Sequence, residues 1–272
     1  VIAPLPTPCY IVSDAHLGAV PDTVERTLLG FLHGRLGERG ALVINGDLFD
    51  FWFEWRHVMP RRSFRVLAAI AQLRESGWPV VWTAGNHDAW GGEILARDVG
   101  VTWAPAGWRG GIGPWRAWIH HGDGLRGEVD RTYRRWQRVL RHPWAIGAYR
   151  LLHPDVGSWL ALQTSKTSRA HGAHDEGAGL RDAALARMAA EASLDLVVFG
   201  HAHARTLVRA PGGGVYANPG AWLDAPVAVR VDDDRVSLVR FDATGQPVAS
   251  GEGDGLDVLD RRDAAQEALR EP

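Results

Sequence analysis

Short apolar runs rich in branched and aromatic side chains recur along the chain, each closed by turn-forming residues. They are Tyr10-Ile11-Val12, Ala41-Leu42-Val43-Ile44, Pro79-Val80-Val81-Trp82, Ala117-Trp118-Ile119 and Leu196-Val197-Val198-Phe199. Runs this short, with no polar alternation, predict strands buried on both faces. Between the first three, the apolar period lengthens to that of a helix. Val24, Leu28, Phe31, Leu32 and Leu36 form one stripe, and Phe64, Leu67, Ile70 and Leu73 form another. Strand and helix in alternation predict α/β layers. After about residue 195 the pattern changes to short strands, Thr206 to Arg209, Val215 to Ala217, Val227 to Val231 and Arg235 to Phe241, between Gly, Pro and Asp turns. These predict an antiparallel sheet closing the domain.

Two segments depart from that scaffold. Within residues 126–150, Arg126, Arg131, Arg134, Arg135, Arg138, Arg141 and Arg150 face only Glu128 and Asp130, with Tyr133, Trp136, Val139, Leu140 and Trp144 interleaved. This pattern predicts a basic amphipathic helical insertion, a cap over residues 126–174 within a domain spanning residues 1–245. From Gln246 onward acidic residues dominate without an apolar stripe, which predicts an acidic, mobile tail over residues 246–272.

Composition narrows the class. With 46% hydrophobic and 23% charged residues among 272, the chain is globular rather than disordered. A formal net charge of -2 gives no global sign of a nucleic-acid binder, and no nucleic acid is expected as a partner. The single cysteine, Cys9, excludes a disulfide framework and a Cys-based zinc knuckle, and it suits a reducing compartment. The opening VIAPLPTPCY lacks a basic region before an apolar core, and no later stretch approaches the ~20 apolar residues of a spanning helix. The expectation is a cytoplasmic protein, with peripheral contact to the inner face of the cytoplasmic membrane through the insertion. The 13 tryptophans suit a ligand cleft or an interface as well as a core.

Side chains suited to metal binding collect where the predicted strands end. Ser13-Asp14-Ala15-His16 follows the first, Gly46-Asp47-Leu48-Phe49-Asp50 the second and Gly85-Asn86-His87-Asp88 the third. His120-His121-Gly122-Asp123 and Gly200-His201-Ala202-His203 follow the next two. Ligands of open α/β sheets bind outside the carboxyl ends of the strands, so these distant loops have one place to converge. Carboxylate, amide and imidazole donors together suit manganese, iron or zinc. Two ions sharing a carboxylate, with Asp47 the natural bridge, would polarise a phosphoryl group and generate hydroxide near neutral pH. Taken singly, each motif also has a plain structural reading: Asp14 or Asp47 as a turn cap, His16 or His121 as a half-buried histidine.

The ordered set Asp14-x-His16, Gly46-Asp47-x-x-Asp50, Gly85-Asn86-His87-Asp88, His121-Gly122-Asp123 and Gly200-His201-x-His203 resembles the calcineurin-like metallophosphoesterases over roughly residues 9–240. The resemblance implies a two-sheet αββα sandwich with two divalent metal ions, manganese before iron or zinc. It implies that Asp14, His16, Asp47 and His203 hold one ion and Asp47, Asn86, His121 and His201 the other. His87 would stand by the leaving group as acid or charge stabiliser, while Asp50 and Asp88 would orient imidazoles. His120 has no role in it.

A narrower resemblance rests on His121-Gly122-Asp123-Gly124-Leu125, Asp130-x-x-Tyr133, His153-Pro154-Asp155, Ser165-Lys166-x-Ser168-Arg169 and Asn218-Pro219-Gly220-Ala221-Trp222. These segments are similar to the UDP-2,3-diacylglucosamine diphosphatases of lipid A biosynthesis, which release UMP and a lipid sugar phosphate. It implies a nucleotide-sugar lipid substrate and contacts from Asp130, Tyr133, Ser165 and Arg169. The best-known branch has Arg after the Asn of the third motif, where this chain has His87. A general phosphodiesterase or phosphoprotein phosphatase, and a non-catalytic scaffold of the same fold, are the alternatives.

Overall fold

The computed structural model describes residues 3–170, 177–248 and 258–261, and for residues 164–170 the backbone alone. The strands are β1 (Cys9–Val12), β2 (Ala41–Asn45), β3 (Val80–Thr83), β4 (Thr102–Ala104), β5 (Trp108–Ile112) and β6 (Trp115–Ile119). They continue with β7 (Leu196–Val198), β8 (Thr206–Arg209), β9 (Val215–Asn218), β10 (Val227–Val231), β11 (Arg235–Arg240) and β12 (Val258–Asp260). The helices are α1 (Asp22–Gly34), α2 (Phe64–Glu75), α3 (Arg131–Leu140), α4 (Pro143–Arg150), α5 (Pro154–Ala170) and α6 (Ala178–Ala190).

The strands form two sheets, ordered β12-β11-β10-β1-β2-β3-β4 and β5-β6-β7-β9-β8. Successive strand residues point to opposite faces, and in the central strands both faces are apolar. Cys9 and Ile11, Ala41 and Val43, and Leu196 and Val198 therefore meet between the sheets, joined there by Ile119, Ala217 and Val229. Tyr10, Val12, Leu42 and Ile44 face outward onto α1 and α2, while Val197, Phe199 and Tyr216 face α6. This is a helix-sheet-sheet-helix sandwich.

The sequence pattern is redrawn in four places. The late strands do not make one closing sheet: β8 and β9 pair in the second sheet, whereas β10 adds antiparallel to β1 in the first. Strand β10 can do so because Ala228 and the alternating Val227, Val229 and Val231 make both its faces apolar. Strands β4 and β5 were not foreseen, since their burial is mixed and they lie at or near sheet edges. Within the segment read as a mobile tail, Val258–Asp260 pairs antiparallel with β11, a correction traceable to its short apolar core of Val258 and Leu259. Residues 249–257 and 262–272 of that segment lie outside the described residues. Finally, Phe64 sits at the first position of α2 and is 60% exposed, and Val66 takes its place in the buried stripe with Leu67, Ala69, Ile70 and Leu73.

Over the basic stretch, α3, α4 and the start of α5 lie across the sheet ends. The His-Pro starts of α4 and α5 are capped alike: His142 Nδ1 accepts from the Trp144 amide and His153 Nδ1 from the Asp155 amide, both at 3.3 Å. No side chain of α3 or α4 is buried. The Tyr149 ring packs on that of Phe53 at 4.7 Å, and polar anchors add to it, with Trp90 Nε1 donating to the Leu140 carbonyl at 3.1 Å, Trp55 Nε1 to the Leu152 carbonyl at 3.2 Å, and Arg150 Nε to the Glu54 carbonyl at 3.2 Å.

Phe31, fully buried, meets the rings of Tyr10, Trp222 and Phe241 at centroid distances of 5.6, 5.5 and 4.8 Å. Phe31→Ala should therefore cost about 3–5 kcal/mol in chemical denaturation. Phe64→Ala should stay within about 0.5 kcal/mol, and equal losses would contradict this account of α2.

Candidate metal centre

Strand register brings the loops together. β1 and β2 pair in parallel with Val12 opposite Ile44, and β2 and β3 with Asn45 opposite Thr83, so the segments carrying Asp14, Asp47 and Asn86 leave one end of the first sheet. In the second sheet Ile119 lies opposite Val198, which sends His120-His121 and Gly200-His201 out at the same end. The loops then interlock: Asp14 N donates to Gly46 O at 3.2 Å, His16 N to Asp47 O at 3.0 Å, and Gly200 N to His121 O at 2.8 Å. Across the sheets, Asn45 Nδ2 donates to His120 O at 3.1 Å, and Asn45 O lies 2.9 Å from His121 Nδ1.

Close approach dictates residue type here. A Cβ on Gly46, whose φ is +76°, would lie 2.6 Å from His121 Nδ1, and one on Gly85 would collide with the Asp47 carboxylate. Among the described residues, Asp14, His16, Asp47, His201 and His203 are the non-glycine positions with positive φ, from 44° to 62°. Asp and His tolerate this region better than branched residues, yet each such position carries strain that surrounding structure must hold. The strain falls on proposed ligands.

The donors converge. His16 Nε2 is 3.8 Å and His121 Nε2 3.2 Å from Asp47 Oδ2, so Asp47 stands between two groups. Asp14 Oδ1 lies 3.4 Å from His203 Nε2 and 3.9 Å from His16 Nε2, while Asn86 Oδ1 is 3.3 Å from His121 Nε2. Donor atoms of Asp14, His16 and His203 form one set within 4.8 Å, those of Asp47, His121 and His201 a second, and those of His16, Asp47 and His87 a third. Buried Asp14 Oδ1 and His16 Nε2 have no hydrogen-bond partner. Unpartnered lone pairs on a carboxylate and an imidazole, with the amide oxygen of Asn86 beside His121, fit divalent cations.

Other predicted residues take different places. Asp50 Oδ1 lies 3.7 Å from the Nδ1 of both His16 and His87, and its backbone carbonyl is 2.9 Å from His87 Nδ1. Asp88, expected to orient an imidazole, makes its hydrogen bonds elsewhere. Its carboxylate accepts from Gly85 N at 2.7 Å, Leu48 N at 3.0 Å and Trp82 Nε1 at 3.3 Å, clamping the second and third loops. Burial, with Asp47 adding to it, pushes Asp88 up to about 6. His120 is pushed down to about 4 by burial and accepts from Gly122 N at 2.9 Å, so it stays neutral and shapes the turn.

In the cap, Asp130 is buried and receives Arg126 through its amide at 2.9 Å and its guanidinium at 3.0 Å, which occupies the carboxylate expected to meet a head group. Tyr133 lines the cavity beside the metal cluster and donates its hydroxyl to Asp123 at 2.8 Å. The side chains of Ser165 and Arg169 lie outside the described residues. The sequence motif contained Asp123 but gave it no role; it also accepts from Gln137 Nε2 at 2.6 Å and Arg141 at 2.9 Å. The available signal was the four-residue spacing of Tyr133, Gln137 and Arg141 on one helical face.

Charge in the cluster is mutually supported. Burial would push His121 down, but the Asp47 and Asp14 carboxylates outweigh it and hold the ring well above its usual value. His16 is likewise raised against its burial by Asp50, Asp47 and Asp14. Burial would raise Asp14 and Asp47, yet His121 with the other imidazoles holds both below the carboxylate range. Without a cation, His16 and His121 thus bind protons more tightly folded than unfolded. Their stabilisation is full below about pH 6.5 and is lost as pH rises through their raised values, while that from Asp14 and Asp47 is lost only in acid. Chelator-stripped protein should therefore show a Tm that falls as pH rises above about 7, whereas metal-loaded protein should not, because its ligands bind deprotonated. A stripped-protein Tm that climbs with pH above neutrality would contradict the assignment.

Comparison with known proteins agrees with this geometry. The profile described as calcineurin-like phosphoesterase matches residues 7–205. A curated protein of Porphyromonas gingivalis, named UDP-2,3-diacylglucosamine hydrolase, is 34% identical over 71% of this chain and 82% of its own length. One of the same name from Sodalis glossinidius is 28% identical over 86% of this chain and 98% of its own. A solved dimetal phosphatase from Danio rerio covers 85% of this chain and 94% of its own at 12% identity, with a TM-score of 0.45. By the extent of the profile match and the identity to the first relative, this chain is a metal-dependent hydrolase belonging to the calcineurin-like phosphoesterase family.

Proposed function

We propose that the chain hydrolyses UDP-2,3-diacylglucosamine to UMP and 2,3-diacylglucosamine 1-phosphate, a reaction of lipid A biosynthesis. The names of its relatives support this substrate. The observation that carries the reading is a cavity of about 500 Å³ that begins at Asp50, Asn86 and His87 and runs beneath the cap. Its walls are Phe51, Phe53, Trp90, Trp136, Leu140, Ile146, Tyr149 and Leu160. A general phosphodiesterase has no need of such a wall, whereas a substrate with two acyl chains does.

In this reading Asp14, His16, Asp47 and His203 hold one divalent ion, and Asp47, Asn86, His121 and His201 the second. Manganese is the inferred metal, ahead of iron or zinc. Ions bound there supply Lewis acidity toward phosphoryl oxygens and a nucleophile from water near neutral pH. The protein's own part is positional and acidic. The Asp50 carbonyl holds His87 Nδ1, which turns the opposite ring edge toward the leaving group. The Asp50 carboxylate stands 3.7 Å from the Nδ1 of both His16 and His87, and it supports positive charge on His16. Trp144, Leu151 and Trp159, 83, 88 and 62% exposed, cover the outside of the cap among arginines. Apolar side chains ringed by cations suit the anionic inner face of the cytoplasmic membrane, from which the substrate is taken. No helix among the described residues is long and apolar enough to cross a membrane.

The direct test is turnover of purified, manganese-loaded protein on UDP-2,3-diacylglucosamine beside a small phosphodiester, bis(p-nitrophenyl) phosphate. Activity confined to the small ester would overturn the substrate. Trp136→Ala and Leu140→Ala should raise KM for the acylated substrate and leave the small ester nearly unchanged, because acyl contacts far from phosphorus contribute mainly uniform binding. His87→Ala should lose turnover by roughly 10²–10⁴-fold while elemental analysis still finds two ions per chain. Loss of an ion in that variant would instead make His87 a ligand, as its proximity to His16 and Asp47 allows.

A further inference from the structure

The cap is seated over the metal cluster by the ring of Tyr149, 4.7 Å from that of Phe53, and by polar anchors, three of which meet on one atom. Asp123, buried and two residues beyond His121, accepts at Oδ2 from Tyr133, Gln137 and Arg141 at 2.8, 2.6 and 2.9 Å. Its Oδ1 is buried without a hydrogen-bond partner, so its hydrogen bonding is directed at the cap. The same Arg141 nitrogen also donates to the carbonyl of Gly85 at 3.0 Å.

That second bond lies at a soft point in the metal loops. Position 85 must be glycine because Asp47 packs against it, and glycine leaves the backbone before Asn86 free to take many conformations. The loop is held on either side of that point, His87 N by Asp47 Oδ1 at 2.8 Å and the Gly85 amide by Asp88 Oδ1 at 2.7 Å. The peptide joining Gly85 to Asn86 receives its carbonyl partner from outside the loop. A guanidinium donor gives a stronger, more directional bond than a neutral one, and Arg141 lines the cavity beside Asn86 and His87.

We propose that Arg141, held by Asp123, is a positioning residue for phosphoester hydrolysis: it ties the seating of α3 to the Gly85-Asn86-His87 loop. A cap drawn down over substrate then sets the amide of Asn86 and the ring of His87, and a lifted cap releases them. This rests on the metal-dependent hydrolase activity of the family and not on the acylated substrate. The test therefore uses bis(p-nitrophenyl) phosphate, whose turnover does not depend on that substrate.

The full chain, loaded with manganese, is compared with Arg141→Ala, Arg141→Lys and Asp123→Asn. Arg141→Ala should lower kcat by as much as ~10²-fold, the scale of a misplacement of about 1 Å, with KM within about twofold and metal content unchanged. Arg141→Lys should recover part of the loss, since an ammonium reaches the same two acceptors as a point charge. Millimolar guanidinium chloride should raise kcat of Arg141→Ala and leave the parent protein unaffected, an effect opposite to that expected for a merely destabilised fold. Asp123→Asn should fall between, because its amide oxygen still accepts. Should Arg141→Ala not fold, Arg141→Met carries the same expectations. An unchanged kcat would overturn the proposal. So would a rise in KM alone, which would make Arg141 a substrate ligand, or loss of metal with rescue by neither lysine nor guanidinium, which would make it structural.

Discussion

Burying carboxylates and imidazoles together at one end of two sheets is the constraint on which the rest of this molecule depends. Asp14, Asp47, Asp50, Asp88 and Asp123 are all buried, as are His16 and His121. An isolated buried charge is strongly unfavourable, so each carboxylate must be matched by a proton donor, an imidazole or a cation. Asp88 and Asp123 are satisfied by backbone and cap donors. Asp14 and Asp47 rely on the imidazoles around them and retain an oxygen suited to a metal.

The sandwich provides the rigidity this arrangement requires. Left-handed backbone at Asp14, His16, Asp47, His201 and His203 is maintained because the loops bond to one another and the strands beneath them are locked in parallel register. Tyr10, Phe31, Trp222 and Phe241 form a close-packed aromatic group on the outer face of the first sheet. Trp222 also donates its amide to Ser13 O at 3.1 Å, beside the first metal loop. Packing behind the sheet is thereby connected to ligand geometry at its end.

The cap follows different physics. It is joined to the core through the ring of Tyr149 on Phe53, through single hydrogen bonds from Trp55, Trp90 and Arg150, and through the Asp123 cluster. Segments with few buried apolar contacts open at lower free energy than a core, which suits a cover that must admit a lipid-bearing substrate. The tryptophans divide accordingly: Trp52, Trp78, Trp82, Trp115 and Trp222 are core residues, whereas Trp136, Trp144 and Trp159 lie exposed on the cap.

How much was legible beforehand depended on whether the information was local. Apolar runs at Tyr10 to Val12 and Val227 to Val231 marked strands because burial on both faces is written into consecutive residues. The strand-end motifs marked candidate ligands because the chemistry restricts residue type. Pairing was not local, so the assignment of β10 and β11 to the first sheet and the recruitment of Val258–Asp260 to its edge came from tertiary structure. The same holds for the turn of Asp130 toward Arg126, the clamp made by Asp88, and the convergence of Tyr133, Gln137 and Arg141 on Asp123. By itself the sequence determined which side chains were available for the chemistry, since donor type and strand period are properties of short segments. Only the tertiary structure decided which of them meet, because a carboxylate accepts whatever donor the packing of distant segments brings within about 3 Å.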